Sequence, residues 1–308
     1  MSDMGAIEGF KGSLLAQVPL IPYTTWRIGG TAELLAEPVD EADIRILCEY
    51  ARTHGLPLYL LGNGSNVLIA DAGLPGLVIC MKSHTGIVID AATGIIQARA
   101  GTLLPHLARK AAQAGIAGLE FLCNIPGTVG GAVVGNAGTG GAQGPSVEKV
   151  LRQIQVLDLS DLSIQMLPLA ELHYAYRRSR TLKTVSYVVL SAEFYTGTRE
   201  APEQILHRQQ QISAQRREKQ PRGYAAGSVF RLPDTVAPEA QTPGWYIDRA
   251  GLKGLRIGGA MVSEQHANWI INDGTATAQD ILALIAVVTA HVQAQFDITL
   301  ELEICRLQ

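Results

Sequence analysis

Two glycine-rich segments of this chain have the composition expected of loops that bind phosphate. Ten of the thirty residues from Gly115 to Gly144 are glycine, yet the segment is too apolar for a linker and too irregular for a repeat. Glycine lacks a Cβ, so it adopts positive φ readily and lets backbone amides approach an anion. The runs 125–131 (IPGTVGG) and 135–138 (GNAG) supply two such turns, and 61–66 (LGNGSN) has the same character. We therefore expect these segments to contact a phosphate-bearing ligand.

Neither segment matches a common nucleotide-binding motif. LGNGSN follows an apolar strand pattern, but no helix pattern opens directly behind it, as a Rossmann motif requires, and no G-x-x-x-x-G-K-[ST] occurs. Taken alone, LGNGSN is equally compatible with a hairpin-like turn built from asparagine and glycine. Two separated glycine loops that converge on one ligand indicate a long diphosphate, such as a flavin dinucleotide.

The elements that must position these loops alternate between strands and helices. Both glycine loops follow predicted elements, a strand in the first case and a helix in the second. The predicted strands are one ending at Glu37 and then 56–61, 76–81, 87–89, 95–100, 150–158, 163–167, 185–194, 228–232, 256–262 and 298–306. The predicted helices are 40–54, 103–114, 170–176, 201–217 and 277–296, with a turn or helix at 243–250. The apolar stripe of the 277–296 helix indicates a core element.

Length and composition divide the chain and limit its function. At 308 residues we expect two domains, and the composition becomes polar and rich in Gln and Arg near Thr198. We predict an N-terminal segment at 1–23, a domain at 24–198 and a second domain at 199–308. A net charge of −3 argues against general binding to nucleic acid or membrane surfaces.

The cysteines and apolar runs indicate the compartment. The four cysteines lie far apart without a CxxC pair, which predicts neither a zinc site nor a disulfide framework, so we expect no metal. The start of the sequence is not a signal peptide, and the apolar run 281–288 is far shorter than the roughly 18 residues that span a bilayer. We expect a soluble cytoplasmic protein with no membrane insertion.

Seven segments spread over about 24–305 resemble one enzyme family. They are, in order, TTWRIGGTA, LGNGSNVLIAD, GLEFLCNIPGTVGGAVVGNAG, YRRS, AAGSVF, AGLKGLRIGGAMVSEQHANWIINDGTATAQD and LELEI. They resemble the UDP-N-acetylenolpyruvoylglucosamine reductase family, flavoenzymes that make UDP-N-acetylmuramate for peptidoglycan. The resemblance implies an α+β fold, with a two-part FAD-binding domain of the p-cresol methylhydroxylase type at 24–198 and a smaller α+β substrate-binding domain at 199–308. The short run after Tyr176 resembles the family's second type.

The resemblance also implies a reaction and its partners. FAD is the cofactor, NADPH is the hydride donor and UDP-N-acetylglucosamine enolpyruvate is the substrate; we expect a monomer. Hydride addition to the terminal carbon of the enolpyruvyl group leaves negative charge on the adjacent carbon and its carboxylate. That charge must be stabilised and the carbon then protonated.

Three residues match the catalytic positions of the family. Arg177 of YRRS would stabilise the developing enolate, because its planar fork suits a carboxylate. Ser228 of AAGSVF would donate the proton, and Glu303 of LELEI would assist, with Glu301 as the fallback on the same polar strand face. By composition alone they are equally a surface arginine, an ordinary strand serine and a solvated strand carboxylate. Arg178 stands where the family more often has a small or acidic residue.

The resemblance assigns binding roles position by position. FAD contacts fall on Leu61, Gly62, Asn63, Gly64, Ser65, Asn66, Asn124, Pro126, Gly127, Thr128, Gly130, Gly131, Asn136, Ala137 and Gly138. Substrate or nicotinamide contacts fall on Tyr176, Arg216, Lys219, Gly227, His266 and Asn268. A solvated helix face is the alternative for the two basic residues, and a structural role is the alternative for the histidine.

Two other functions are compatible with the glycine loops. One is a different FAD oxidoreductase of the same fold, such as a sugar oxidase. Those enzymes often attach flavin through a histidine near the first glycine loop, where this chain has only the distant His54 and His84. The other is a catalytically silent flavin or UDP-sugar binding module, against which the intact Arg177, Ser228 and Glu303 argue.

Overall fold

The computed structural model describes residues 7–141, 143–184, 186–233 and 241–308. The chain forms two compact units. One comprises the segments up to Ala16, Leu34–Asn63 and Gly76–Arg216, and the other comprises Gln17–Glu33, Gly64–Pro75 and Arg217–Gln308. The predicted boundary at 198/199 comes before the last point of division, which lies between Arg216 and Arg217. The predicted domain limits stay a prediction. The first six residues and Val185, the predicted start of a strand, lie outside the described residues.

Strands and helices are numbered in chain order. The strands are β1 (Ser13–Pro19), β2 (Thr31–Glu37), β3 (Leu58–Leu61), β4 (Val67–Ile69), β5 (Leu74–Cys80), β6 (Ile87–Ile89), β7 (Ile96–Arg99), β8 (Leu151–Asp158), β9 (Ile164–Pro168), β10 (Tyr174–Ala175), β11 (Arg178–Ser179), β12 (Tyr187–Phe194), β13 (Phe230–Arg231), β14 (Arg256–Ile257), β15 (Ala260–Val262), β16 (Ile270–Asn272), β17 (Glu301–Leu302) and β18 (Cys305–Leu307). The α-helices are α1 (Glu41–Thr53), α2 (Leu104–Gln113), α3 (Val129–Val134), α4 (Thr181–Thr184), α5 (Pro202–Lys219), α6 (Pro243–Arg249) and α7 (Ala278–Phe296).

A four-stranded sheet with the order β1-β2-β5-β3 leads to the first glycine loop. The parallel pairing of β3 with β5 aligns Leu58 with Leu77 and ends at Leu61, the first residue of the loop. Helix α1 is capped by Asp40, whose carboxylate accepts the Asp43 N–H at 2.9 Å. Such a cap gives a hydrogen-bond acceptor to an N–H of the first helical turn that has no partner within the helix. Helix α1 therefore begins directly after Asp40, as the sequence predicts.

A five-stranded antiparallel sheet leads to the second glycine loop. Its order is β6-β7-β12-β8-β9. Strand β7 alternates, with Ile96 and Ala98 buried and Gln97 and Arg99 exposed, whereas most positions of β12 are buried. Helix α2 buries Leu104, Leu107 and two alanines against the same core. This layered core fixes the junction between β7 and α2, on which the second loop rests.

The other unit is built around helix α7. A capping box starts this helix, with Thr277 and Asp280 each accepting the other's backbone N–H. Its apolar stripe, including Ile281 and Val288, packs in a core that also contains Trp26 and Phe230. Three short ladders complete the unit: β14-β15-β16, β13-β17 and the parallel pair β18-β4.

Most predicted elements are confirmed, and the wrong ones have physical reasons. The predicted strand 256–262 is a hairpin, because Gly258 has φ +53 and turns the chain between β14 and β15. The predicted strand 298–306 is two short strands, β17 and β18, with different partners. The predicted helix 170–176 is a 3₁₀ turn, Leu169–Leu172, followed by β10. The prediction missed β1, β4, β11, β16, α3 and α4. None of the helices in the described ranges has both the length and the apolar character needed to cross a membrane.

Candidate active site

The start of the first glycine loop lies against the second loop. The Asn63 side-chain amide donates to the Pro126 carbonyl at 2.6 Å. Gly62 packs on Thr128 so closely that a Cβ at position 62 would overlap the threonine hydroxyl. Glycine at this position is therefore required for the two loops to approach, and the pair forms one continuous backbone surface.

The shape of the second loop is set by the β7–α2 junction. Thr102 accepts the Val129 N–H at 2.9 Å, Ala100 accepts the Gly130 N–H at 2.8 Å, and the Leu104 N–H donates to Gly127 at 3.0 Å. Helix α3 begins inside the loop, at Val129. These backbone hydrogen bonds fix the course of the loop at 127–130.

Helix α5 supports the segment that opens the second loop. Arg208 forms ion pairs with Glu120 and Glu200, both at 2.7 Å. Ser213 is hydrogen-bonded to the side chain of Asn124 at 3.0 Å. The polar, Arg-rich sequence of α5 is thus used to anchor the turn that precedes the glycines.

A cavity of about 570 Å³ opens beside Asn63 of the first glycine loop and the β7–α2 junction. Asn63 and the 101–103 backbone contribute to its wall, together with the basic side chains Lys82, His106 and Lys110. Sequence reasoning missed all three basic residues. The signal was present in His106 and Lys110, which are four positions apart and therefore share one face of α2.

The loops and the cavity fit a flavin dinucleotide. A glycine surface permits close contact with a diphosphate, and the basic side chains of the wall offset its negative charge. The residues that would hold the group are those of 61–63 and 124–131, together with the basic side chains of the cavity.

Arg177 lies in the turn of a small hairpin. Strands β10 and β11 pair Ala175 with Arg178, which leaves Tyr176 and Arg177 as the two turn residues. Arg177 has φ +58, a conformation that non-glycine residues rarely adopt, and its guanidinium carbon lies 5.0 Å from the centroid of the Tyr176 ring. The carbonyl of Ala175 in this hairpin accepts a hydrogen bond from the side chain of Asn136, 39 positions earlier in the sequence.

Ser228 lies two residues before β13, and Glu303 directly follows β17, the strand that pairs with β13. The Glu303 N–H donates to the carbonyl of Val229 at 2.8 Å, directly after Ser228. Gly227, with φ +78, precedes the serine, and both Ser228 and Glu303 are half-buried. The segments that flank β13 and β17 thus continue side by side, with Glu303 opposite the residue that follows Ser228.

Glu301 has a different environment from Glu303. It lies opposite Arg231 in the β13–β17 ladder, and the two side chains form an ion pair. The Arg231 side chain is only 10% exposed, so its charge requires this partner. The structure therefore gives Glu301 an ion pair with Arg231, and the catalytic role of Glu303 stays a prediction.

The end of the first glycine loop contacts the segment between β17 and β18, which contains Glu303. The Asn66 amide donates to the carbonyl of Glu303 at 3.1 Å. Gly64 has φ +62, and its carbonyl accepts the Thr25 N–H at 3.1 Å. Ser65 lies between them. All three residues are predicted to bind FAD. The structure shows in addition that Asn66 holds the backbone of Glu303.

His266 and Asn268 support β13, the strand that begins two residues after Ser228. The Asn268 side chain forms two hydrogen bonds with the backbone of Phe230, accepting its N–H and donating to its carbonyl, both at 2.9 Å. His266 Nδ1 accepts the Asn268 N–H at 3.3 Å, which places the proton of the neutral ring on Nε2. Burial lowers the pKa of His266, so the neutral form predominates at pH 7.

The two basic residues of α5 differ in exposure. Arg216 is half-buried near Cys123, and burial lowers the pKa of its guanidinium, which nevertheless stays protonated. Lys219 is the last residue of the helix and is exposed. A charged side chain at such a helix end is available to a phosphate group.

Comparison with known proteins gives a consistent family assignment. Residues 219–307 match the profile "UDP-N-acetylenolpyruvoylglucosamine reductase, C-terminal domain", and residues 32–162 match an FAD binding domain. The UDP-N-acetylenolpyruvoylglucosamine reductase of Synechococcus sp. (strain WH7803) is 44% identical over 96% of this chain and 94% of its own length. That of Heliobacterium modesticaldum is 42% identical over 96% and 91%.

A solved structure supports the same assignment. The crystal structure of UDP-N-acetylenolpyruvylglucosamine reductase from Thermus caldophilus superposes with a TM-score of 0.76 at 33% identity, covering 97% of this chain and 99% of that one. The fold expected from the resemblance, an FAD-binding domain of the p-cresol methylhydroxylase type and a smaller α+β domain, is confirmed. On sequence, profile and structure alike, this chain belongs to the UDP-N-acetylenolpyruvoylglucosamine reductase family.

Proposed function

We propose that Arg177, Ser228 and Glu303 perform the charge and proton chemistry of enolpyruvyl reduction in this chain. As a member of its family, the chain is an FAD-dependent oxidoreductase that converts UDP-N-acetylglucosamine enolpyruvate to UDP-N-acetylmuramate, with NADPH as reductant. When bound, FAD would supply the hydride chemistry, with NADPH as the hydride source and the terminal carbon of the enolpyruvyl group as the acceptor. What remains for the protein is to hold the substrate, stabilise charge and supply one proton.

Arg177 binds the carboxylate of the substrate and stabilises the enolate. As hydride reaches the terminal carbon, negative charge develops on the adjacent carbon and spreads into the carboxylate. A guanidinium can form two parallel hydrogen bonds to that carboxylate, and these strengthen as the charge grows. The tight turn that holds Arg177 with φ +58 supports this role, because strained conformations concentrate at functional positions.

Ser228 donates a proton to the charged carbon, and Glu303 assists. The observation that supports this assignment is the hydrogen bond from the Glu303 N–H to the Val229 carbonyl, which brings the backbone of Glu303 next to the residue that follows Ser228. A serine hydroxyl is a weak acid, so it needs a neighbour that stabilises its conjugate base or relays a proton to it. We assign this part to the carboxyl group of Glu303, whose backbone is bonded to Val229.

The remaining predicted residues bind the substrate and NADPH. We assign phosphate contacts to Arg216 and Lys219, and substrate contacts to Tyr176 and Gly227. His266 and Asn268 act near Ser228, because Asn268 holds Phe230 and His266 holds Asn268. The glycine loops and the basic cavity of the first unit hold the cofactor.

The cellular setting follows from the reaction. The product is a nucleotide-linked precursor of peptidoglycan, so the enzyme contributes to cell wall biogenesis and, through it, to cell shape and division. NADPH and nucleotide sugars are intracellular metabolites, which supports a cytoplasmic enzyme. We propose that it acts as a monomer, and size-exclusion chromatography with light scattering measures this directly.

The experiment that tests the proposal separates the two half-reactions. Anaerobic stopped-flow absorbance follows flavin bleaching by NADPH and then its recovery when UDP-N-acetylglucosamine enolpyruvate is added. Ser228→Ala should leave the bleaching rate nearly unchanged and slow the recovery about a thousandfold, because only the second step uses the proton. Equal losses in both half-reactions would make Ser228 a structural residue. Failure of the wild-type flavin to recover would point to another acceptor.

A further inference from the structure

The side chain of Asn136 is occupied by protein rather than directed at open space. Asn136 directly follows the glycine that ends α3, is only 3% exposed and has φ +43. Asparagine tolerates this left-handed conformation better than most residues, so the backbone here needs no glycine. The sequence predicts an FAD contact for Asn136, but its buried amide is placed elsewhere.

Three hydrogen bonds use both ends of that amide. Its nitrogen donates to the carbonyl of Ala175 at 3.1 Å and to the Glu148 carboxylate at 2.9 Å. Its oxygen accepts the Glu148 N–H at 3.1 Å. Ser146 donates its hydroxyl proton to the other oxygen of Glu148 at 3.3 Å. Asn136 is thus the centre of a network that ends on the hairpin strand leading to Arg177.

A second hydrogen bond ties the same strand to α3. The Tyr174 hydroxyl donates to the carbonyl of Val133 at 2.8 Å. Burial, with a smaller contribution from Glu148, raises the pKa of Tyr174, so the hydroxyl keeps its proton at any physiological pH. On the partner strand, the buried Ser179 donates to the carbonyl of Leu172 at 2.7 Å.

We propose that Asn136 is a positioning residue for Arg177, acting through the carbonyl of Ala175. Only Tyr176 separates Ala175 from the arginine, and both turn residues are fixed by the pairing of Ala175 with Arg178. A shift of Ala175 therefore moves the guanidinium directly. The inference rests on the proposed role of Arg177, and it gives Asn136 a task in the substrate half-reaction rather than in FAD binding.

The test uses Asn136→Gly, which removes the amide while glycine keeps the left-handed conformation without strain. Flavin recovery by the enolpyruvyl substrate should slow about 10- to 100-fold, the loss expected when a catalytic group is misplaced by an ångström or less. Flavin bleaching by NADPH and the FAD dissociation constant should change less than about threefold. The matched control is Asp297→Gly, another left-handed residue with a hydrogen-bonded side chain, which should change neither half-reaction.

A double-mutant cycle shows whether Asn136 acts through Arg177. Arg177→Met should slow flavin recovery strongly, and adding Asn136→Gly to it should cause little further loss, because the group being positioned is already absent. Full additivity of the two effects would overturn the inference. Tyr174→Phe removes the second anchor with little change in shape, and it should show the same selective loss if Asn136→Gly does not fold.

The outcomes separate this inference from the proposed function. If Asn136→Gly weakens FAD binding and slows both half-reactions equally, Asn136 is a cofactor contact and the inference is wrong. If Arg177→Met is slow while Asn136→Gly and Tyr174→Phe are normal, the role of Arg177 stands and the positioning role falls. If Arg177→Met recovers at the wild-type rate, the proposed role of Arg177 itself fails.

Discussion

The side-chain amide of Asn66 donates a hydrogen bond to the backbone carbonyl of Glu303 over 3.1 Å. The Asn66 carbonyl in turn accepts the Cys305 N–H at 2.9 Å, and the Glu303 N–H is bonded to Val229. The backbone of Glu303 is therefore held at two points, by Asn66 of the first glycine loop and by Val229, which follows Ser228. Such anchoring restricts where the carboxyl group can lie, which is the condition for proton transfer over a fixed distance.

The two glutamates of the last ladder should differ in their effect on catalysis. Glu303→Gln should slow flavin recovery by the enolpyruvyl substrate about 10²- to 10⁴-fold, because an amide cannot assist the proton transfer. Glu301→Gln should slow it less than about tenfold, because Glu301 is paired with Arg231. Stopped-flow absorbance measures both, with flavin bleaching by NADPH as the internal control. A larger loss for Glu301→Gln would show that the family register is misassigned.

Gly62→Ala should weaken FAD binding. The added methyl group would overlap the Thr128 hydroxyl and push the two glycine loops apart. The dissociation constant, measured by the fluorescence of flavin released on dilution, should rise at least tenfold, since a lost backbone contact to a diphosphate costs about 1.5 kcal/mol or more.

The control for this variant is the partner residue. Thr128→Ala removes the hydroxyl that an alanine at position 62 would meet, so the double variant should regain FAD affinity relative to Gly62→Ala alone. If the double variant binds FAD no better than Gly62→Ala, the loss arises from the ligand side of the loop and not from the contact between the loops.

Asn268→Ala should destabilise the fold. It leaves the Phe230 N–H and carbonyl buried without their side-chain partner, at a cost of about 1–3 kcal/mol in the free energy of unfolding. Urea unfolding followed by circular dichroism measures the change. Gln265→Ala, an exposed position in the same segment, should stay within about 0.5 kcal/mol of wild type. Equal stability of the two variants would contradict the clamp described for Asn268.

His84 should make the protein less stable at mildly acidic pH. It is fully buried, its Nε2 donates to the Leu190 carbonyl at 3.1 Å, and its Nδ1 has no hydrogen-bond partner within the described part of the chain. Burial lowers its pKa below the usual 6.5, with Arg99 acting in the same direction. The unfolded chain therefore binds a proton at a pH where the folded protein does not.

The sign of the effect follows from that difference. The free energy of unfolding should fall as the pH drops below about 6.5, by at most about 1.4 kcal/mol per pH unit for this one group. In His84→Gln this decline should be smaller. Urea titrations between about pH 5 and pH 8 compare the two proteins. Parallel profiles for wild type and variant would show that His84 is protonated equally in both states.

Long elements with strong periodicity could be predicted from the sequence, and most short ones could not; β6, predicted at 87–89, is an exception. Helices α1 and α2 are within two residues of their predicted bounds, because caps and apolar spacing are local signals. Strands β4, β16 and β18 have only three residues each, and their partners lie far away in sequence. A strand of that length is defined by the partner that it meets, which local propensity does not encode.

The site shows the same limit. The glycine loops and the catalytic candidates could be found from residue type and motif. The tasks of Asn66, Asn136 and Asn268 could not, because an asparagine that binds a ligand and one that holds a backbone carbonyl look alike in sequence. Lys82 was missed for a related reason, since it reaches the cavity from a 3₁₀ turn with no motif around it.

The pairing of β18 with β4 has a consequence for how the protein is made. Asn66 and Glu303 are 237 positions apart in sequence, yet they belong to one compact unit. Trp26 and Leu68, both almost fully buried in the α7 core, leave the ribosome long before that helix exists. This unit cannot fold progressively from its first residues, so its early apolar segments stay open to chaperones or aggregation until translation of the final strands is complete.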